Sequence, residues 1–155
     1  MVEIRLALPS DLDALLTLGR AMRDEGPNFM KLDFQPEKAQ LVITSLISNE
    51  CVLVACKDGK VIGVLCFAVV QHAWGYDKIA VDLAIYVYPA HRGSSAFVRM
   101  VRAFETIASE RGAKMLELGT SAGVDNERTA ELFTAMGYYR HGIATRKEVR
   151  HVQRS

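Results

Sequence analysis

From Ala80 to Tyr88 the chain is almost continuously apolar and rich in β-branched and aromatic side chains. That pattern predicts a strand covered on both faces, ended by Pro89. From Phe97 the period changes: Phe97, Val98, Val101, Phe104, Ile107 and Ala108 form one helical stripe, with Arg99, Arg102, Glu105 and Arg111 elsewhere on the cylinder. Gly112 closes this helix. Upstream, residues 3–7 read as a short strand. Ser10, with Asp13 three residues on, is placed to cap a helix whose stripe is Leu12, Leu15, Leu16 and Met22 and whose stop is Gly26-Pro27. Residues 26–35 show no period and form a loop with apolar groups. A second helix starts at Pro36 and buries Ala39, Val42, Ile43, Leu46 and Ile47.

Residues 51–57 and 60–71 read as two strands joined by a hairpin at Asp58-Gly59. After the long helix, residues 114–119 form a compact strand. Asp125 then caps a short helix that packs Ala130, Leu132, Phe133 and Met136 inward and ends at Gly137. Residues 138–149 alternate enough for one or two final strands, and 151–155 are a frayed tail. The order β-α-α-β-β-β-α-β-α-β predicts an α/β (α+β) architecture: a mixed sheet with about four helices on both faces, in one domain over 1–150.

The join between the apolar strand and the long helix is Arg92-Gly93-Ser94-Ser95-Ala96. It lies where the first helical turn leaves backbone N–H groups without intrahelical partners. Those donors, the positive end of the helix dipole and a glycine that permits close approach suit phosphate or pyrophosphate, with Arg92 as an added charge. The same residues also serve an ordinary helix cap, and spacing alone does not separate the two readings.

Composition narrows the classes. Half of the 155 residues are hydrophobic, 24% are charged and the formal net charge is +1, so no basic excess suggests nucleic-acid binding. No apolar run reaches membrane-span length, and the first twenty residues lack the form of a signal peptide; the expectation is a cytoplasmic protein with no membrane partner. Cys51, Cys56 and Cys66 sit among apolar strand residues without C-x-x-C spacing, and the four histidines are scattered, so no metal is expected.

Two motifs carry a resemblance. Ile85 to Ala96 reads I-Y-V-Y-P-A-H-R-G-S-S-A, and Asn126 to Tyr138 reads N-E-R-T-A-E-L-F-T-A-M-G-Y. With the element order, they resemble over residues 3–149 the GNAT superfamily of acetyl-CoA-dependent N-acetyltransferases; the stretch 91–105 is also similar to GNAT-like proteins of phage and prophage genomes. The resemblance implies a mostly antiparallel sheet of six or seven strands with acetyl-CoA as co-substrate. It implies cofactor contacts from Ile85, Tyr86, Val87, Arg92, Gly93, Ser94, Ser95, Ala96, Phe97, Asn126 and Phe133. Two departures stand out. Ser95 and Phe97 replace the second and third glycines of the family loop, and Phe133 stands where the family often has an acidic tyrosine, a proton donor that phenylalanine cannot replace.

Acetyl transfer requires a neutral amine, hence a base. Asp82 is the one acid in the apolar strand, either a functional base with a raised pKa or a structural carboxylate bonded to a neighbouring loop. Strand alternation groups it with Ala84, Tyr86 and Tyr88 until a bulge intervenes. Glu117 is a second candidate base, and Tyr138 a candidate acid. By resemblance, the acceptor site falls to Asn28, Phe29, Phe34, Trp74 and Tyr76, residues not acidic enough to favour a polyamine or aminoglycoside. No nucleophile is paired with a histidine, which supports direct transfer. The alternatives are a GNAT-fold CoA-binding or interaction module without turnover, and a nucleotide-binding module, which the missing glycines and P-loop lysine disfavour. Edge strands near the C-terminus offer a surface for a homodimer.

Overall fold

A computed structural model describes residues 1–29, 31–120 and 124–149. The elements are β1 (Val2–Leu6), α1 (Leu12–Glu25), α2 (Pro36–Ser48), β2 (Val52–Lys57), β3 (Lys60–Gln71), β4 (Lys78–Val87), α3 (Ala96–Glu110), β5 (Ala113–Glu117) and α4 (Asn126–Ala135). The strands form one sheet in the order β1-β2-β3-β4-β5, antiparallel except for the parallel β4–β5 pair. At the β2–β3 hairpin, Asp58 (φ 51°) and Gly59 (φ 75°) both adopt the left-handed conformation that a tight two-residue turn demands.

Each sheet face has its own core. The stripe of α3 buries Ala96, Met100, Val101, Phe104 and Ala108 against Leu53, Ala55, Leu65, Phe67, Ala80 and Val87. On the other face, Leu15 and Leu18 of α1 and Ile47 of α2 cover Val52, Val54, Val64, Cys66 and Tyr86. Burial on both faces explains why β2 and the start of β3 read as unbroken apolar runs rather than alternating ones. Cys56 and Cys66 are free and buried, as their apolar settings predict.

A bulge in β4 divides the strand. Cys66 lies opposite Ala84 but Phe67 lies opposite Asp82, which leaves Leu83 as the extra residue. The consequence is a change of parity. Ala80 shares the α3 face with Ile85 and Val87, whereas Ala84, Tyr86 and Tyr88 belong to the α1 face. Asp82, two residues from Ala80, is thereby separated from the even-numbered residues that follow it.

Two expectations are corrected. The sheet has five strands, not six or seven, because no described residue of 138–149 is in a strand. The apolar members of that alternation, Tyr139, Ile143 and Val149, are 70%, 95% and 77% exposed, so no sheet face holds them. Among the described residues the edge strand nearest the C-terminus is β5. The first helix is also fastened differently. A 3-10 turn, Pro9–Asp11, precedes it, and the Asp11 carboxylate accepts the Leu8 N–H (2.7 Å) and a bidentate pair from Arg5 (2.7 and 3.0 Å). Ser10 and Asp13 play no capping part because Asp11, the N-cap itself, already anchors the turn to β1. The predicted tail at 151–155 lies outside the described residues.

Candidate active site

The pairing of β4 with β5 covers only Lys78–Val81, after which the strands part. From Asp82 to Val87 the edge of β4 that faced β5 has no strand against it, and Asp82, Ala84, Ile85, Tyr86 and Val87 line a cleft there. That cleft has a volume of about 730 Å³ and is closed by the Arg92–Ser94 turn, the start of α3, Gly119 and Thr120 after β5, and the first turns of α4.

The turn is built for close approach. Gly93 has φ +88°, a conformation that side chains strain to adopt. The Ser94 hydroxyl donates to the His91 carbonyl (2.7 Å) and accepts the Ala96 N–H (3.3 Å), so it caps the helix. Ser95 makes no capping hydrogen bond. The next two N–H groups, of Phe97 and Val98, are first-turn donors without helical acceptors, and both residues line the cleft. Gly93 and Ser94 line it as well, whereas Ser95 is exposed and Ala96 is buried in the α3 core.

Arg92 is placed differently from the expected free phosphate contact. Its Nε donates to the Val87 carbonyl (3.0 Å), and its guanidinium grips the Glu25 carboxylate with both terminal nitrogens, one contact being 2.8 Å. The Tyr86 hydroxyl donates to the same carboxylate (2.5 Å), and the Arg92 guanidinium lies over the Tyr86 ring, 5.2 Å from its centroid. Arg92 and the Tyr86 hydroxyl together hold the Glu25 carboxyl below its usual range. Burial and the anionic Glu25 push the Tyr86 phenol up to about 12. Among the described residues, the arginine that lines this cleft without an ion pair is Arg128, on the first turn of α4.

Asp82 lines the cleft beside Gly119, whose N–H it accepts at 3.0 Å. Burial pushes its carboxyl up to about 6, against the downward pull of that hydrogen bond. Ile85, Tyr86, Val87 and Asn126 also reach the cleft.

Other residues do not. Phe133 is 5% exposed and sits behind the cleft wall, against Phe97 (centroids 5.7 Å apart) and Tyr138 (5.8 Å). Bulk at Phe97 is thus matched by bulk at Phe133. Tyr138 donates its hydroxyl to Glu105 (3.1 Å), and burial together with that carboxylate raises its pKa, so it is a structural phenol outside the cleft. Glu117 faces His141 at 3.9 Å and also lies outside. Trp74 and Tyr76, in the β3–β4 loop, are 92% and 91% exposed and line neither this cleft nor the second cavity described below; that loop closes on its own His72–Asp77 backbone hydrogen bond. The backbone carbonyl of Asn28 accepts from Arg146, whereas Phe29 does line the cleft.

Glu25, Gly119 and Arg128 are the residues that sequence reasoning missed. A glutamate at a helix end and a glycine after a strand have no motif, and only the fold brings them to Arg92 and Asp82. A second cavity of about 510 Å³ lies between α1, α2 and the bulged part of β4, with Phe34 in its wall. Among the described residues, no three His, Cys, Asp or Glu side chains gather as a metal-ligand set.

The comparisons with known proteins agree with this geometry. An acetyltransferase from Trypanosoma brucei superposes with a TM-score of 0.70 at 16% identity, covering 96% of this chain and 100% of that one. The aminoglycoside acetyltransferase HMB0005 from an uncultured soil metagenomic sample gives 0.72 at 15% identity, covering 97% and 99%. A predicted acetyltransferase from Clostridium acetobutylicum, solved with acetyl-CoA, gives 0.71 at 14% identity over 96% of each chain. Identities this low establish the fold. No curated protein sequence matches the chain significantly. The Acetyltransferase (GNAT) family model matches residues 20–138, from the middle of α1 through the aromatic cluster at Tyr138, and the chain belongs to that family.

Proposed function

We propose that the protein transfers an acetyl group from acetyl-CoA directly to a primary amine, with Asp82 as the base. The observation behind this reading is the parting of β4 from β5 at Asp82, beside a cleft lined by both a carboxyl of raised pKa and the Gly93 turn. Gly93, Ser94 and the N–H groups of Phe97 and Val98 hold the pyrophosphate, with Arg128 at the mouth. The free edge of β4 over Ile85, Tyr86 and Val87 binds the pantetheine arm and offers N–H donors for the thioester oxygen. When bound, acetyl-CoA supplies the activated acyl group.

An alkyl ammonium has a pKa of about 10 and must lose a proton before it attacks. Asp82, ionised above about pH 6, accepts that proton directly or through water. The thiolate is a weak base and leaves without an acid, which fits a cleft whose phenylalanine and tyrosine at 133 and 138 stand outside it. A binding module without turnover remains the second reading, favoured by the pairing of Arg92 with Glu25.

Calorimetric titration with acetyl-CoA and CoA, with ATP as a control, tests the first half. Micromolar binding, about 8 kcal/mol, is the expected result, and no binding overturns the reading. Release of CoA in the presence of amines, lost in Asp82→Asn with binding retained, tests the second half; binding without release for any amine favours the module.

A further inference from the structure

We propose that the second cavity seats the acceptor and selects an amine carried on an apolar body, with Gly19 setting its depth; this rests on the acetyltransferase reading above. The cavity joins the cleft, since Met22, Phe29 and Ala84 line both. Ala84 follows the bulge residue Leu83 and is two positions from Asp82. A molecule held in the cavity by its apolar body therefore presents its amine at the opening beside Ala84, into the cleft that Asp82 also lines.

The walls define the class of acceptor. Leu15, Leu32, Phe34, Val42, Ile43 and Leu46 contribute apolar surface, and the charged lining residues are Arg23, Lys38 and Asp33. Asp33 is itself hydrogen-bonded to Gln35 (3.2 Å). One carboxylate facing two cations cannot balance a polyamine or an aminoglycoside, each of which carries several ammonium groups. A monoamine faces no such deficit. Apolar walls also disfavour its charged form, which lowers the pKa of the ammonium and leaves less work for Asp82.

Gly19 is the residue that opens the space. It lies inside α1, where glycine costs about 1 kcal/mol relative to alanine. A Cβ built there meets only the Phe34 ring, at 4.0 Å. The helix has room for a Cβ at this position, and a larger side chain there occupies the cavity that Gly19 lines.

The test uses the full chain and a series of n-alkylamines from propyl to heptyl, with spermidine as the polycation. Equilibrium binding is measured with CoA present, and turnover with acetyl-CoA. Each added methylene should tighten binding about fourfold until the cavity is full. Gly19→Leu, whose helix propensity protects the fold, should cancel that gain for the longer amines while leaving acetyl-CoA affinity unchanged. A series flat in chain length, spermidine binding more tightly than hexylamine, or Gly19→Leu binding the long amines like the parent would each overturn the proposal. Absence of acetyl-CoA binding alongside a steep alkylamine series would instead remove the acetyltransferase reading and leave the apolar seat standing.

Discussion

Replacing Asp82 with asparagine should separate function from stability in opposite directions. The carboxyl rises from an ordinary 3.8 to about 6 because burial penalises its charge, and the Gly119 N–H only partly offsets that. A rise of about two units corresponds to about 3 kcal/mol of destabilisation once the group is ionised in the fold. The penalty has a definite pH window. Below pH 4 the carboxyl is protonated both folded and unfolded and costs nothing, across pH 4–6 the cost grows, and above about 6 it is complete. Asparagine keeps a carbonyl for the Gly119 N–H but must solvate its amide in the cleft, so a net gain of about 1–2 kcal/mol is expected at pH 8. For a chain of 155 residues that is a Tm increase of about 3–6 °C. Thermal melts of parent and variant at pH 8 and pH 4 measure it, and the gap should close at pH 4. In the same samples kcat should fall about 10²–10⁴-fold with acetyl-CoA affinity retained, and the parent kcat should decline as pH drops through about 6. A variant that melts lower at pH 8, or whose offset ignores pH, would show that Asp82 is a structural carboxylate and refute the reasoning.

Other perturbations test the surroundings. Glu25→Gln weakens the hold on Arg92 and on the Tyr86 hydroxyl; with both charged partners partly solvated, the loss should be about 1 kcal/mol in denaturant titrations at pH 7. Because the Glu25 carboxyl is depressed in the fold, that difference should be present above pH 4.5 and fade as pH falls through the depressed folded value. Phe133→Tyr should leave kcat unchanged and lower stability by about 1–3 kcal/mol, since the new hydroxyl is buried among rings away from the cleft; increased turnover would contradict the placement. Trp74→Ala should alter Tm by no more than its error and acceptor KM by less than twofold, as expected of a side chain in open solvent. Gly63→Ala drives a methyl to within 3.0 Å of Val87 and 3.1 Å of the Tyr86 carbonyl, and should cost about 1–3 kcal/mol in chemical denaturation.

Most elements were legible because each announced itself in one local code. The stripe of α3, the Asp58-Gly59 turn and the Pro36 start are short-range facts, and strand β3 follows its predicted bounds at Lys60 and Gln71. The final strands failed for the complementary reason. Alternation over 138–149 is a necessary feature of a half-buried strand, but a strand also needs a neighbour, and nothing local tells Ile143 that no sheet face will cover it. The site divides along the same line. The Gly93 turn and the acid in an apolar run are local patterns, and both reach the cleft. The partner of Arg92 lies 67 positions away and that of Asp82 37 positions away, distances over which sequence pattern carries no information.

The β4 bulge shows how one long-range irregularity reorganises a site that local rules describe almost correctly. Strict alternation would group Asp82 with Ala84 and Tyr86, on the side of α1. The extra residue at Leu83 sends Asp82 toward α3 and the end of β5, where Gly119 can meet it, while Tyr86 remains with Glu25 and Arg92. The carboxyl and the phenol, near neighbours in sequence, thus serve different networks. Phe97 fits the same logic. A side chain too large for a glycine position is accommodated because its ring turns away from the turn and rests on Phe133, whose own hydroxyl-free ring packs in return on Tyr138. A tyrosine at 133 would bring a hydroxyl into that apolar contact, so the two departures from the family pattern form one packing solution, and the Phe97 and Val98 N–H groups keep no helical acceptor beside it.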